Sequence, residues 1–243
     1  MDHQSMNTAY DPILVTLSWV VAIVAAYAAV GIAHRLKRTT GRERQIWQFG
    51  GAAAFGFGVW AMHFIGMTAL KMPILVAYDP AITILSVVFG FLAGWVAIGV
   101  IGQENVKMQQ ILLGGTLLGA GIGAMHYTGM FAMRMEAGLG FDPIMFAVSV
   151  VVAVGISTLG LWIMTAKQFS RLKGRGLITA SVVGSAIPIM HYVGMAAARF
   201  NTENAMMMTR LPIASDNILL LNSVMIVSML ILSFPIFLNW LLD

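Results

Sequence analysis

The chain contains no cysteine, which excludes disulfides, thiolate-bound zinc, iron–sulfur clusters and blue-copper sites together. Charge is nearly as scarce. Of 243 residues only 10% are charged while 59% are hydrophobic, and the mean hydropathy is +0.85. A water-soluble domain is about a quarter charged, so an ordinary soluble globule is excluded. The apolar stretches hold hardly any acids, which leaves a proton-coupled transporter without its usual relay. There is no G-x-S-x-G elbow, no H-E-x-x-H, no P-loop and no pair of buried carboxylates, so no enzymatic turnover is expected. The first residues lack a positive run, and no cleaved signal peptide is expected.

What is present is length and apolarity in the right portions. A spanning helix needs roughly 20 mostly apolar residues. Seven stretches qualify, at about 12–34, 46–70, 80–101, 110–132, 143–166, 176–198 and 216–241. The expected fold is an all-α membrane protein of seven transmembrane helices. Arg35, Lys37, Arg38, Arg42 and Arg44 follow the first helix, Lys107 the third, and Lys167, Arg171, Lys173 and Arg175 the fifth. These loops share one side. The other side holds Lys71, Arg134, Arg199 and Arg210. The positive-inside rule then puts the N-terminus outside and Asp243 in the cytoplasm. Basic residues so distributed read as membrane topology, with no nucleic-acid partner. Trp47, Trp162 and Trp240 fall at inner helix ends, as interface anchors do.

A hexapeptide recurs three times: Met62-His63-Phe64-Ile65-Gly66-Met67, Met125-His126-Tyr127-Thr128-Gly129-Met130 and Met190-His191-Tyr192-Val193-Gly194-Met195. The copies lie 63 and 65 residues apart and take three of the five histidines. A second repeat accompanies it. Tyr10-Asp11-Pro12, Tyr78-Asp79-Pro80 and Phe141-Asp142-Pro143 each stand before an odd-numbered helix, where Asp suits the cap and Pro the first turn. The chain 1–243 thus reads as one domain of three two-helix repeats, about 11–70, 79–132 and 142–198, plus an extra helix at about 216–241. Gly90/Gly94, Gly115/Gly119 and Gly119/Gly123 have the spacing of small-residue seams between helices.

Each motif falls near the outer end of an outward-running helix, so the three histidines share one depth. At a rise of about 1.5 Å per residue, His63 lies on the order of 10 Å inside the helix end near Leu70. An imidazole there is costly unless paired. One such histidine is as readily a satisfied core residue as a ligand, and any one of 19 methionines is more readily packing. Three copies in one frame argue otherwise. His63 and Met67, His126 and Met130, and His191 and Met195 are four apart and share a helix face. Met62, Met125 and Met190 line the adjacent face. Imidazole with thioether is a ligand set that favours copper, thioether selecting Cu(I), although zinc also accepts three histidines. The negative helix ends point at this layer, and Gly66, Gly129 and Gly194 would admit a ligand or a neighbouring helix. Pro188 is expected to kink the third motif helix. Whether the histidines converge on one ion or form separate sites is open at this stage. Outer-loop Met72, Met133, Met135 and Met206 to Met208 could pass copper inward. Asp79 and Asp142 are explained as caps, and His34 and His3 carry no evident role.

At these residues the sequence resembles the MHYT family of bacterial integral-membrane sensors. Met125-His126-Tyr127-Thr128 spells its signature, with Phe64 replacing Tyr in the first copy and Val193 replacing Thr in the third. The resemblance implies a multi-pass protein of the bacterial inner membrane. It implies copper held by Met, His and aromatic residues, and a diatomic gas (oxygen, carbon monoxide or nitric oxide) or redox state as the signal. Carried onto this chain, the ligands would be Met62, His63, Met67, Met125, His126, Met130, Met190, His191 and Met195, with Tyr127 and Tyr192 as weak or outer ligands. Phe64 offers no oxygen. Family members often continue past the seventh helix into a cytoplasmic output domain, commonly a diguanylate cyclase and phosphodiesterase pair. This sequence ends at Asp243, so the resemblance implies a partner protein or a longer parent chain.

Two other classes compete. A copper transporter or chaperone would need ligands continuing inward, yet residues 49–59, 111–121 and 177–185 contain neither His nor Met. A haem-binding membrane oxidoreductase could use two of the histidines as axial ligands, leaving the third unexplained.

Overall fold

The structure is a computed structural model that describes residues 9–72, 74, 76–135, 137–166 and 174–201, together with 224, 226 and 230. Six helices are long and apolar enough to cross a membrane. They are α1 (Pro12–Leu36), α2 (Gly41–Ala69), α3 (Pro80–Ile101), α4 (Met108–Phe131), α5 (Pro143–Thr165) and α6 (Arg175–Ala197). The expected seventh helix, with Trp240, lies outside the described residues except at Val224, Ile226 and Leu230, which are helical. His3, Met206 to Met208, Lys167, Arg171 and Lys173 also lie outside them.

The aspartates start the odd helices as their position demands. Asp11 accepts from the Ile13 and Leu14 amides, Asp79 from Ile82, and Asp142 from Ile144 and Met145. The prolines at 12, 80 and 143 occupy the first turn, where no amide is needed. Helix α6 runs unbroken through Pro188.

The helices form a closed ring. Each packs on its neighbours in sequence, and α6 returns to α1. The even helices α2, α4 and α6 also meet one another across the middle. The glycine seams do what their spacing suggests: a Cβ on Gly94 would run into the α2 backbone, and one on Gly115 or Gly119 into the α5 backbone. Gly123 is different, with only an ordinary contact to Val150. Small residues there let helices approach where lipid offers no hydrophobic drive. Outward-facing Ile13, Ile144 and Val151 are 70% or more exposed, as lipid-facing side chains would be.

At the end of the bundle that carries the α1–α2 and α3–α4 connections, the Arg44 guanidinium donates to the Leu36 and Gly102 carbonyls, tying off α1 and α3. The opposite ends carry structure that an all-helical reading did not foresee. Three two-stranded antiparallel ribbons join β1 (Ala9–Tyr10) to β2 (Leu70–Lys71), β3 (Val76–Tyr78) to β4 (Met133–Met135), and β5 (Gly138–Phe141) to β6 (Ala198–Asn201). Each ribbon ties the start of one helix pair to its end. The segments are too short and glycine- or charge-bearing to announce themselves as strands; they pair because the helix ends hold them side by side.

The same sites carry three ion pairs: Lys71–Asp11 at 3.0 Å, Arg134–Asp79 at 2.7 Å and Arg199–Asp142 at 3.1 Å. The capping aspartates therefore do more than cap: they pair with Lys71, Arg134 and Arg199. The Lys71 ammonium holds the Asp11 carboxyl below its ordinary range, and the Arg134 guanidinium does so for Asp79. For Asp142 the Met145 amide leads, followed by Arg199.

A candidate metal centre at the bundle axis

The three motif helices bring His63, His126 and His191 to one point. All three are buried, at 0, 0 and 1% exposure. Their Nδ1 atoms form a triangle with edges of 3.1 Å (His63–His191), 3.1 Å (His126–His63) and 3.3 Å (His191–His126). The rings stand nearly perpendicular to one another, with centroids 4.9 to 5.1 Å apart.

This triangle cannot be satisfied by hydrogen bonds alone. A ring nitrogen either carries the proton and donates, or is bare and accepts. Around a closed set of three, at most two contacts can join donor to acceptor, and the third sets like against like. A cation facing three bare Nδ1 atoms would remove that conflict. The edges also fit one: metal–nitrogen bonds of about 2.0–2.1 Å in a tetrahedral site place the nitrogens roughly 3.4 Å apart. Among the described His and acidic side chains these three form the one group close enough to hold a metal ion.

Each imidazole turns its Nε2 toward the next motif. A Cβ on Gly129 would collide with the His63 ring, one on Gly194 with His126, and one on Gly66 with His191. The motif glycines thus admit a neighbouring histidine to the helix backbone. All three Nε2 atoms are buried, and those of His63 and His126 have no hydrogen-bond partner among the described residues; each such orphan costs on the order of 1–3 kcal/mol.

Methionines bracket this layer. Met62, Met125 and Met190 lie in the large core cluster with Phe55, Val59 and Leu118. Met67, Met130 and Met195 lie in a separate cluster toward the ribbons, with Leu70, Tyr127, Met133 and Met135. All six are 4% exposed or less. Met133 and Met135 are buried, and Met72 packs against the same cluster.

The aromatic residue of each motif sets an edge against its own histidine: Phe64 at 5.0 Å, Tyr127 and Tyr192 at 4.8 Å between centroids. The tyrosine hydroxyls turn to serines on the following odd helix. Tyr127 meets Ser149 at 2.6 Å and Tyr192 meets Ser18 at 3.1 Å. The ring also packs edge to face against the aromatic that precedes the next Asp-Pro: Phe64 against Tyr78, Tyr127 against Phe141, Tyr192 against Tyr10. Burial pushes the Tyr78 phenol up from its ordinary value. The serines were missed in the sequence although a signal existed. Ser18, Ser86 and Ser149 each stand seven residues after a capping aspartate, and Ser223 stands seven after Asp216.

Fold and site together define a multi-span membrane protein built by internal repetition around a buried histidine triad. Comparison with known proteins gives this class a family. The family model described as a bacterial signalling protein N-terminal repeat, MHYT, matches residues 1–45, 56–114, 119–176 and 184–234. The chain belongs to the MHYT family of membrane signalling sensors. In the family's frame a unit runs from a motif helix into the following odd helix, one helix out of step with the repeat read from the aspartates.

The chain is 41% identical over 199 residues to the bifunctional diguanylate cyclase/cyclic di-GMP phosphodiesterase MucR of Pseudomonas aeruginosa, covering 79% of this chain and 28% of that protein. It is 36% identical to the cyclic di-GMP phosphodiesterase NbdA of the same organism, over 79% of this chain and 25% of that protein. With the signalling protein YkoW of Bacillus subtilis identity is 30%, over 82% of this chain and 25% of that protein. The match therefore spans about a quarter of each relative's length. No solved structure matches.

Proposed function

We propose that His63, His126 and His191 together hold one copper ion and that this centre is the sensory element of the protein. The observation that carries the reading is the convergence of three buried Nδ1 atoms at 3.1–3.3 Å, an arrangement that hydrogen bonding leaves in conflict. Copper is favoured over zinc by the six motif methionines above and below the triad, the thioether donors that select Cu(I). Met62, Met67, Met125, Met130, Met190 and Met195 are the further ligands from which a fourth position would be filled. Tyr127 and Tyr192 act through packing and their serine bonds rather than as oxygen ligands. Haem is disfavoured, because imidazoles this close leave no space for a macrocycle between them.

Bound copper would supply a coordination site for a diatomic gas, or a change of oxidation state, as the signal. The residues around it exclude water and ions: the layer is sealed outward by the methionine–aromatic cluster and inward by the apolar core. An uncharged small molecule is the class of ligand that such surroundings admit. The even helices meet at the triad, so a change of spacing there is felt by all three at once.

The setting follows from the loops. Basic residues gather at the inner ends, while three of the outer ones are spent on aspartates. That supports an inner-membrane protein with its N-terminus outside and its C-terminus cytoplasmic. MucR and NbdA carry cyclic di-GMP enzyme names, and the output partner proposed is a cytoplasmic domain of that diguanylate cyclase/phosphodiesterase type. The enzyme activity would belong to that partner.

The test is metal analysis of the detergent-purified protein beside His63→Ala, His126→Ala and His191→Ala. One copper per chain in the wild type, reduced at least tenfold in each folded variant, is the expected result. Loss in one variant alone would mean separate sites. No copper in wild type grown with ample copper would return the triad to helix packing.

A further inference from the structure

Ser86 belongs to the same set as Ser18 and Ser149, but its partner differs. Phe64 has no hydroxyl, and the Trp60 indole, one helical turn before it, donates to Ser86 Oγ at 3.1 Å. All three serine hydroxyls also donate backward along their own helix, to the carbonyls of Val15 and Thr83 at 2.6 Å and Phe146 at 2.8 Å. A hydroxyl has one proton. Once it is given to that carbonyl, the oxygen can only accept from the motif helix. Indole N–H is a donor and never an acceptor, which fixes the direction at Ser86. By the same count the Tyr127 and Tyr192 hydroxyls donate to Ser149 and Ser18.

We propose that Ser18, Ser86 and Ser149 are positioning residues for the histidine triad. Trp60 supplies in the first repeat the donor that tyrosine supplies in the other two. In repeats two and three the chain of contact is serine, tyrosine ring, histidine. In repeat one it is Ser86, Trp60, Phe64 and His63, the Trp60 and Phe64 rings lying 5.0 Å apart. In each case the serine sits on the odd helix of the next repeat, so the orientation of every imidazole is referred to a helix outside its own motif. Ser18 and Ser86 are 0% exposed and Ser149 likewise, so water cannot substitute for the missing partner.

This proposal rests on the copper reading for its functional meaning, but its test does not. The full chain is labelled with 15N-histidine in detergent, and ring signals are read without metal and after copper addition. Trp60→Phe is expected to shift the His63 signals and to weaken copper binding about tenfold, as lost outer hydrogen bonds commonly do. Adding Phe64→Tyr to Trp60→Phe supplies a hydroxyl in the frame used by Tyr127, and should restore both readouts to within about twofold. Adding Ser86→Ala to that pair should abolish the rescue. In the second repeat, Tyr127→Phe and Ser149→Ala should each shift His126, and the double variant no further than either alone.

Unchanged His63 signals in folded Trp60→Phe, or a Phe64→Tyr rescue indifferent to Ser86→Ala, would overturn the proposal. If the wild type binds no copper, the metal-free spectra still decide it, since imidazole 15N shifts report the tautomer and hydrogen bonding of each ring without a metal.

Discussion

In the collar of ribbons the ion pairs and strand pairings of each repeat close on themselves. Asp11 pairs with Lys71, Asp79 with Arg134 and Asp142 with Arg199, and each ribbon joins the two ends of one helix pair. In the histidine layer, the glycine and serine contacts pass to the next repeat. His63 rests on Gly129, His126 on Gly194 and His191 on Gly66. Trp60 reaches Ser86, Tyr127 reaches Ser149, and Tyr192 returns to Ser18. The ion pairs and ribbons of the collar are clamps closed within a repeat, whereas the centre is a cycle. Damage to a clamp should stay local, and damage to the cycle should be felt at all three histidines.

The sharpest way to break the cycle is to fill one motif glycine. Gly129→Ala puts a methyl against the His63 imidazole, which has no free direction to yield. Overpacking of this kind costs about 1–3 kcal/mol, and copper binding should fall with it. Gly66→Ala and Gly194→Ala should match it in both respects, read by thermal unfolding in detergent and by metal content. A strong effect in one variant and none in the others would show that the centre is not cyclic.

A smaller effect is expected from a clamp. Asp79→Ala removes a cap and an ion pair at the start of α3, and the lost cap costs about 1 kcal/mol. Copper stoichiometry should be unchanged, because no contact runs from that carboxylate to the triad. Loss of copper in Asp79→Ala would erase the contrast between collar and centre.

The smallest effect is in pH. The three carboxyls are held below their ordinary value of 3.8, so their contribution is present above that value and is lost as pH falls through the lowered one. Stability should be flat from about pH 7 to 5 and decline below about pH 4. Changing all three aspartates to asparagine keeps good caps and should remove that decline. Melting curves across the range, wild type beside variant, check it; an undiminished acid decline would assign the loss to other groups.

Much of the centre was legible in the chain. Three Met-His-aromatic-x-Gly-Met copies at matching positions fix three imidazoles at one depth, because helix rise converts sequence spacing into depth. The Asp-Pro pairs fix three helix starts, since capping is local chemistry. The ribbons and the serine partners were not legible in the same way. Leu70-Lys71 or Gly138 to Phe141 has no strand signature of its own, and Ser86 finds Trp60 only across a helix interface.

By itself, then, the sequence determined the apolar spans, the helix starts and the depth of the histidines, because these follow from hydropathy, capping and helical rise along one segment. Only the tertiary structure decided that the three imidazoles converge, that each motif glycine receives its neighbour's ring, and that Trp60 replaces a tyrosine hydroxyl. Those depend on how six helices close into a ring, and closure is a relation between segments that no one segment encodes.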